Sequence, residues 1–312
     1  MNRGDLHFTL KQLLYFVVTA EYGSVKKAAE HIPISQPSVS TAITQLEDTL
    51  GVQLFIRHHA QGLSLTASGR KILKEAKAVL RQSESLHSVA REIGGEIRGS
   101  LSVGCFVTLA PLIIPELVHG FKTSFPDVRL TIKEYNHQSL ISQLCEGELD
   151  VALAYDLGLD ENIVFEYLVE LQPVVWLSEK HRLANRGSIN MSELCDEPMI
   201  LLDLPHSTNY FLSLFSHLGL KPEIFHRTSH QDVVRTMVAN NYGYTLANVR
   251  PRSMQALDGK RLVSVELEGN HRPMVIGLMS VSTERKPKLL DSFEQYCRTM
   301  ITRDHVPGMD MA

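Results

Sequence analysis

Between residues 35 and 50 the chain places small hydroxyl and amide groups at helical spacing. At 100° per residue, Val39, Ile43, Leu46 and Leu50 fall within about 40° of one another and form one apolar stripe. The opposite face carries Pro37, Ser38, Thr41, Thr44, Gln45 and Asp48, with Gln36 and Ser40 on its flanks. Such groups can donate and accept toward base edges without the bulk that would hold a helix out of a groove. A solvated face of an ordinary helix has the same pattern, and periodicity alone does not separate the two. A second set of polar groups sits further on, at the ends of apolar strands. It comprises Thr108, Asn136, His137, Gln138, His206, Ser207, Thr208, Thr228, Ser229 and Thr245. Hydroxyls and helix N-terminal amides there favour a carboxylate-bearing small molecule, because such amides carry partial positive charge. Each of these positions also suits a helix cap; Thr108 and Ser207 lead the set.

Other chemistries find less support. His58 and His59 are adjacent, but neighbours on a strand point to opposite faces. His206, His226 and His230 have no recognised metal spacing, and no metal or cofactor is expected. Cys105 lies in an apolar strand, where a thiol is usually inert packing and not an oxidant sensor. No glycine-rich phosphate loop, nucleophile elbow or zinc helix occurs, so an enzyme is not expected.

The elements that must position the first set are short. Leu10 to Tyr22 is a helical segment broken at Gly23. Ser24 caps a second helix to His31, whose Ala28 and Ala29 allow close approach. Ile32-Pro33-Ile34 makes a turn, and Ser35 caps the third helix, in which Pro37 is tolerated in the first turn. This is the helix-turn-helix order. Gly51 stops the third helix. Val52 to Arg57 and Leu63 to Thr66 then form a hairpin about Gly62, a wing. Thr66 caps a long helix to about Ile93. Its positions Ile72, Ala76, Val79, Ser83, Leu86, Ala90 and Ile93 form a heptad seam suited to pairing with a second copy, or to burial within its own domain. Gly94, Gly95 and Gly99 read as a hinge.

Five motifs now stand in register: Ala28-Ala29-Glu30, Ser35-Gln36-Pro37-Ser38-Val39-Ser40, Gln45-Leu46-Glu47, Leu50-Gly51-Val52-Gln53-Leu54-Phe55 and Leu65-Thr66-Ala67-Ser68-Gly69. Over residues 9–93 the chain resembles the LysR-type transcriptional regulators. That resemblance implies a winged helix-turn-helix head on a dimerising linker helix. Gln36, Pro37, Ser40 and Thr41 then occupy positions commonly directed at DNA, with Ser38 and Thr44 on the same face, and Arg57 is placed to meet backbone phosphate. Family members often carry arginine where Thr41 stands here, and Lys26 and Lys27 supply part of that charge.

From residue 100 strands alternate with helices, which implies mostly parallel sheets in two α/β lobes around a cleft. Phe125-Pro126-Asp127-Val128, Gly147-Glu148-Leu149-Asp150-Val151-Ala152-Leu153 and Gly243-Tyr244 resemble the family's effector domain, more loosely. The expected class is thus an α+β multi-domain chain, an N-terminal winged helix-turn-helix with a C-terminal two-lobed α/β effector-binding domain. Its divisions are 1–66 head, 67–93 linker helix, 94–99 hinge and 100–302 effector domain, followed by a 303–312 tail. Within the effector domain, lobe I is 100–167 with 271–302 and lobe II is 168–270. The resemblance implies double-stranded DNA, a small-molecule effector, self-association as dimer or tetramer, and contact with RNA polymerase. The alternative is a solute-binding protein or enzyme on the same two-lobed body.

Charge agrees with a division of labour. The chain of 312 residues carries net charge −4, which alone argues against a phosphate-binding surface. Residues 1–98 hold 12 Lys/Arg against 9 Asp/Glu, a net of +3, and the remainder hold 19 against 26, a net of −7. Four cysteines, none in a CxxC pair, fit a reducing compartment. Neither a secretory signal nor an 18-residue apolar run is found, so a cytoplasmic location without membrane attachment is expected.

Overall fold

The computed structural model describes residues 7–58, 62–92, 97–282 and 286–311, with side chains 84, 85 and 87–92 left aside. The chain divides into two compact units, 1–96 and 97–312.

In the head, α1 (Leu10–Tyr22) begins at a capping box in which Thr9 and Gln12 bond each other's backbone amides, and it ends at left-handed Gly23. α2 (Val25–His31) is capped by Ser24, and α3 (Gln36–Leu50) by Ser35, with left-handed Gly51 at its end. Side-chain caps satisfy orphan first-turn amides and left-handed glycines close the other end, so these five boundaries are written locally. Phe16, Val39, Leu46 and Leu54 are fully buried between these helices, and the rings of Phe16 and Phe55 meet edge to face at 5.5 Å.

The wing is the antiparallel pair β1 (Phe55–His58) and β2 (Gly62–Leu65). It starts at Phe55, not Val52, because residues 51–54 turn the chain back to the end of α3. Glu47 Oε1 fixes that return by accepting from the amides of Leu54 at 2.7 Å and Phe55 at 3.2 Å. α4 (Ala67–Glu92) follows. Thr66 Oγ1 donates to the carbonyl of Gln53 and accepts from the amide of Gly69. At Gly69 a Cβ would lie 2.1 Å from the carbonyl oxygen of Leu54, so only glycine lets α4 sit this close.

The heptad seam of α4 divides in two. Ile72 and Ala76, with Leu73 and Leu80, pack into the head's own core. Val79 and Leu86 are exposed, Leu86 to 70%. The side chain of Ala90, and Ile93 with Gly94 and Gly95, lie outside the described residues. Gly99, expected in the hinge, instead opens a strand with φ +133.

The body's first sheet holds β3 (Gly99–Phe106), β4 (Val128–Tyr135), β5 (Val151–Tyr155), β6 (Ile163–Leu171) and a late strand, Met274–Val281. Its order is β4-β3-β5, then Met274–Val281, then β6. The first three are parallel, and Met274–Val281 runs antiparallel to both its neighbours. α5 (Ala110–Ser124) and α6 (His137–Cys145) belong to this lobe, as does a closing helix, Lys288–Met300. α6 begins at His137, with Asn136 as its N-cap. β6 was not expected as a strand, and the 167/168 lobe boundary falls inside it.

The second lobe holds β7 (Val174–Ser178), β8 (Ser188–Ile189), β9 (Pro198–Leu202), α7 (Ser207–Ser216), β10 (Glu223–Thr228), α8 (Gln231–Ala239), β11 (Thr245–Ala247) and β12 (Leu262–Leu267). Continuing the numbering, Met274–Val281 is β13 and Lys288–Met300 is α9. β7 pairs antiparallel with both β11 and β12, so the expectation of mostly parallel sheets fails in this lobe. The paired strands are distant in sequence, with α7 and α8 lying between β7 and β11. Residues 303–312 are no loose tail: Val306 and Met309 are buried, and the amides of Arg252 and Asp310 bond the carbonyls of Gly308 and Arg250.

Glu47→Ala removes the side-chain acceptor of two partly buried amides and should destabilise the head by about 2 kcal/mol or more. Glu47→Gln, which keeps an acceptor oxygen, should cost less. Urea unfolding of full-length protein followed by circular dichroism checks the order.

Candidate functional site

The polar face of α3 is presented as its spacing requires. Gln36, Pro37, Ser38, Thr41 and Thr44 are exposed, and Ser40 is half-buried on the flank. Ser38 has a second task, since its hydroxyl meets that of the capping Ser35 at 2.7 Å. Gln45 is steadied by Gln12 across to α1, 3.1 Å away. Lys26 and Lys27 are exposed at the start of α2, and Arg57 is exposed on β1. His58 Nε2 lies 2.7 Å from the Ser64 hydroxyl, which ties the hairpin together; His59 lies outside the described residues.

In the body, a cavity opens where the lobes meet, with an empty volume of about 460 Å³ counting its mouth. Of the expected ligand set it takes Thr108, Ser207 and Thr245 into its wall. Phe106 and Tyr155 arrive from the first lobe, and Trp176, Phe211 and Asn248 from the second. The remaining expected residues sit elsewhere. Gln138 and Ser229 are exposed. Thr208 Oγ1 bonds Asp203 Oδ1 at 2.9 Å and the carbonyls of Leu202 and Leu204, which is turn chemistry. Asn136 caps α6, and Thr228 accepts from the amide of His230.

His137 and His206 come together, but beside the cavity wall. Their rings meet at 5.4 Å, and His137 also packs edge-on to Phe106 at 6.4 Å. His206 holds a left-handed backbone, φ 67, and its ring covers Gly158 so closely that a Cβ there would lie 2.4 Å from Nδ1. A non-glycine residue in that region stores strain and marks a place worth functional attention. Burial first, and the neighbouring His206 second, push the His137 pKa down to about 4. His206 thus turns to a histidine in lobe I, and His226 and His230 are exposed. Among the described residues no group of three or more His, Cys, Asp or Glu could hold a metal ion.

The cavity's polar atoms are unusual for their lack of partners. Asn248 shows why one of them points as it does. The Tyr210 hydroxyl donates to the carbonyl of Arg272 at 2.7 Å, so it must accept from Asn248 Nδ2 at 3.1 Å. The second Nδ2 hydrogen goes to the carbonyl of Leu171, also at 3.1 Å. Both donors are spent, and the buried Oδ1 is left with no partner. Ser207 Oγ, on the first residue of α7, and Trp176 Nε1 are likewise buried and unpartnered. Buried polar atoms are almost always satisfied, so three orphans on one cavity call for a ligand or ordered water. Thr108 is different: its hydroxyl bonds Tyr155, whose phenol burial pushes well above its ordinary range. Behind Trp176 the Arg235 guanidinium lies 5.2 Å from the ring centroid and donates to the carbonyls of Ser253 and Gln255.

Asn248 and Trp176 were missed from sequence. Asn248 directly follows β11, so the strand-end rule that selected Thr108 also applied to it. Trp176 lies mid-strand in an all-buried β7, where nothing local separates a wall from a core. Cys105 is fully buried, its thiol donates weakly to the Phe106 carbonyl, and burial drives its pKa far up.

Residues 10–70 match the bacterial regulatory helix-turn-helix proteins of the LysR family. Residues 94–301 match the LysR substrate binding domain. The chain belongs to the LysR family of transcriptional regulators. This LysR regulator is 37% identical to HinK, a LysR family regulator from Pseudomonas aeruginosa, whose crystal structure superposes with TM-score 0.65 over 95% of this chain and 99% of that one. It is 30% identical over 237 residues to the hydrogen peroxide-inducible genes activator of Haemophilus influenzae, covering 76% of this chain and 78% of the relative. An OxyR cysteine variant from Corynebacterium glutamicum with hydrogen peroxide bound is 28% identical, with TM-score 0.60 over 95% and 93% of the two chains. A DNA-binding head joined to an effector-binding domain follows, and a solute-binding protein or enzyme on the same body is not favoured. No described helix of the LysR regulator is long and apolar enough to cross a membrane.

His137 gives this LysR regulator a pH signature. Between pH 6.5 and about 4 the unfolded chain takes up a proton at His137 that the folded body refuses. Stability tied to this group is therefore complete above pH 6.5 and falls as pH falls through that window, by about 3 kcal/mol. Denaturant titrations at several pH values should show a shallower acid-side decline in His137→Leu than in wild type.

Proposed function

We propose that this LysR-type regulator reads duplex DNA with α3 and sets its output by a small ligand held in the cavity between its lobes. The observation that carries the proposal is the trio of buried, unpartnered polar atoms on that cavity: Ser207 Oγ, Asn248 Oδ1 and Trp176 Nε1. On the head, Gln36, Ser40, Thr41 and Thr44 face the base edges with Pro37 at close quarters, and Ser38 holds the helix start. Arg57, Lys26 and Lys27 meet phosphates. A recognition helix places its N-terminal residues on base edges, and paired half-sites lie about one helical turn apart. Exposed Val79 and Leu86 on α4 support pairing of two chains, which can associate further into a tetramer. Thr108, Ser207 and Thr245 touch the ligand. His137, His206 and Thr208 stand outside the cavity wall, and Gln138 and Ser229 are exposed.

Ligand binding shifts the balance of two domain arrangements, and its effect is bounded by its differential affinity for them. RNA polymerase is the partner that such a shift would engage, in the cytoplasm and without an enzymatic step. Relatives named for hydrogen peroxide induction bear on the input. No cysteine is among the cavity's described lining residues, and Cys105 is buried with its thiol held protonated. A thiolate is the species that oxidants attack; neither the cavity lining nor Cys105 offers one, and the input proposed here is a bound molecule.

A gel shift on DNA from the protein's own upstream region tests the reading. Gln36→Ala with Ser40→Ala should abolish the specific shift while leaving weak, salt-sensitive binding; an unchanged shift would remove α3 from the reading role. Thr108→Val should blunt the response to effector and leave basal DNA binding near wild type; equal loss of both would contradict the division between head and body.

A further inference from the structure

The cavity's inventory narrows the ligand, on the reading that it is the effector site. We infer that it takes a one-ring aromatic monocarboxylic acid bearing a hydroxyl or amine, and rejects dicarboxylates and amino acids.

Four aromatic side chains, Phe106, Tyr155, Trp176 and Phe211, stand in the wall, and Phe106 and Tyr155 already meet edge to face at 5.3 Å. Aromatic groups prefer such edge and offset contacts, so a planar ring inserted among them gains more than an aliphatic one of equal size. The volume of about 460 Å³ counts the open mouth, so the enclosed space is smaller, which suits one ring and not two.

Charge sets the second limit. No Lys, Arg, Asp or Glu is among the described lining residues. A second carboxylate would be buried with no cation against it, and an ammonium would be buried with no anion. Either costs more than a cavity of this kind returns. A single carboxylate is different. Trp176 Nε1–H and Ser207 Oγ–H are donors without acceptors, Ser207 opens the positive end of α7, and the Arg235 guanidinium lies behind Trp176. Asp232 acts on Arg235, but among the described residues no acid forms an ion pair with it, so part of its field reaches through the ring. The third orphan fixes the other substituent. Asn248 Oδ1 can only accept, because its amide hydrogens are already committed to Leu171 and Tyr210. The ligand must therefore carry an O–H or N–H besides its carboxylate.

Full-length protein is titrated with 4-hydroxybenzoate, benzoate, cyclohexanecarboxylate, phthalate and phenylalanine. The readouts are calorimetry and the emission of Trp176, the chain's one tryptophan. The expected order is 4-hydroxybenzoate, then benzoate weaker by about tenfold for the missing donor, then cyclohexanecarboxylate. Phthalate and phenylalanine give no response at the same millimolar concentrations. Ser207→Ala should cost 4-hydroxybenzoate about tenfold. Phthalate or phenylalanine binding as tightly, with Trp176 responding, overturns the ligand class while leaving the cavity as the effector site. Silence from every probe overturns it as well. Calorimetric binding that neither moves Trp176 emission nor weakens in Thr108→Val lies elsewhere on the protein and defeats the effector-site reading itself.

Discussion

The side-chain amide of Asn248 is the knot on which the body's functional geometry depends. Its two N–H groups reach the end of β6 at Leu171 and the hydroxyl of Tyr210 in α7, and that hydroxyl passes its own proton to Arg272 just before β13. One buried side chain thus fastens the closing turn of one lobe's edge strand to a helix and a crossing strand. Burial raises the Tyr210 phenol to about 12, so the hydroxyl remains a donor across the physiological range. In a low-dielectric interior such a chain is strong when every member is satisfied and costly when one is not. One member, Oδ1, is not, and it is a cavity atom. The same network that links Leu171, Tyr210 and Arg272 therefore also leaves a group that a ligand would satisfy.

Around that knot, other contacts span the crossing. Asp156 at the end of β5 accepts from the amide of Val275 and pairs with Arg272 at 3.1 Å. The last residues reach back as well: His305 Nε2 lies 3.3 Å from Glu116 of α5, while Asp310 and Gly308 bond the segment at 250–252. A Cβ at Gly308 would lie 2.6 Å from the carbonyl oxygen of Leu112, so the chain end fits closely against α5. These polar links add to one continuous buried apolar cluster that both lobes share. In the head the comparable link is Glu47, which gives up solvent to hold two wing amides and so orients β1 against α3.

Much of the head was legible in the sequence because its boundaries are local. Ser24, Ser35, Gly23 and Gly51 cap or close helices by their own chemistry, and the polar face of α3 follows from a period of 3.6. The body was legible as strands and helices but less so as sheets. The β6 segment mixes apolar residues with Glu166 and Glu170 without clean alternation, since it is an edge strand with Val164 and Tyr167 half exposed. The antiparallel pairing of β7 with β11 and β12 depends on long-range register, which short runs of valine and leucine do not encode. The cavity divided along the same line. Thr108, Ser207 and Thr245 were found because strand ends and helix starts are local features. Trp176 was not, because it lies mid-strand in an all-buried β7, where nothing local marks a cavity wall. His137 and Thr208 follow the strand-end rule too, yet one is packed under Phe106 and the other is consumed by its own turn.

The charge pattern fits this division. A head of only mild positive charge supplies limited electrostatic attraction to phosphates, and the acidic excess lies in residues 99–312. What joins the two is the claim that the cavity is built for a ligand which accepts from Trp176. With one tryptophan in 312 residues, the indole N–H gives one nitrogen–proton resonance. Titrating full-length protein with 4-hydroxybenzoate while following that resonance is the most direct measurement. The account predicts a downfield shift and slower exchange with water as Nε1–H gains an acceptor; an unmoved resonance at saturating ligand would contradict it.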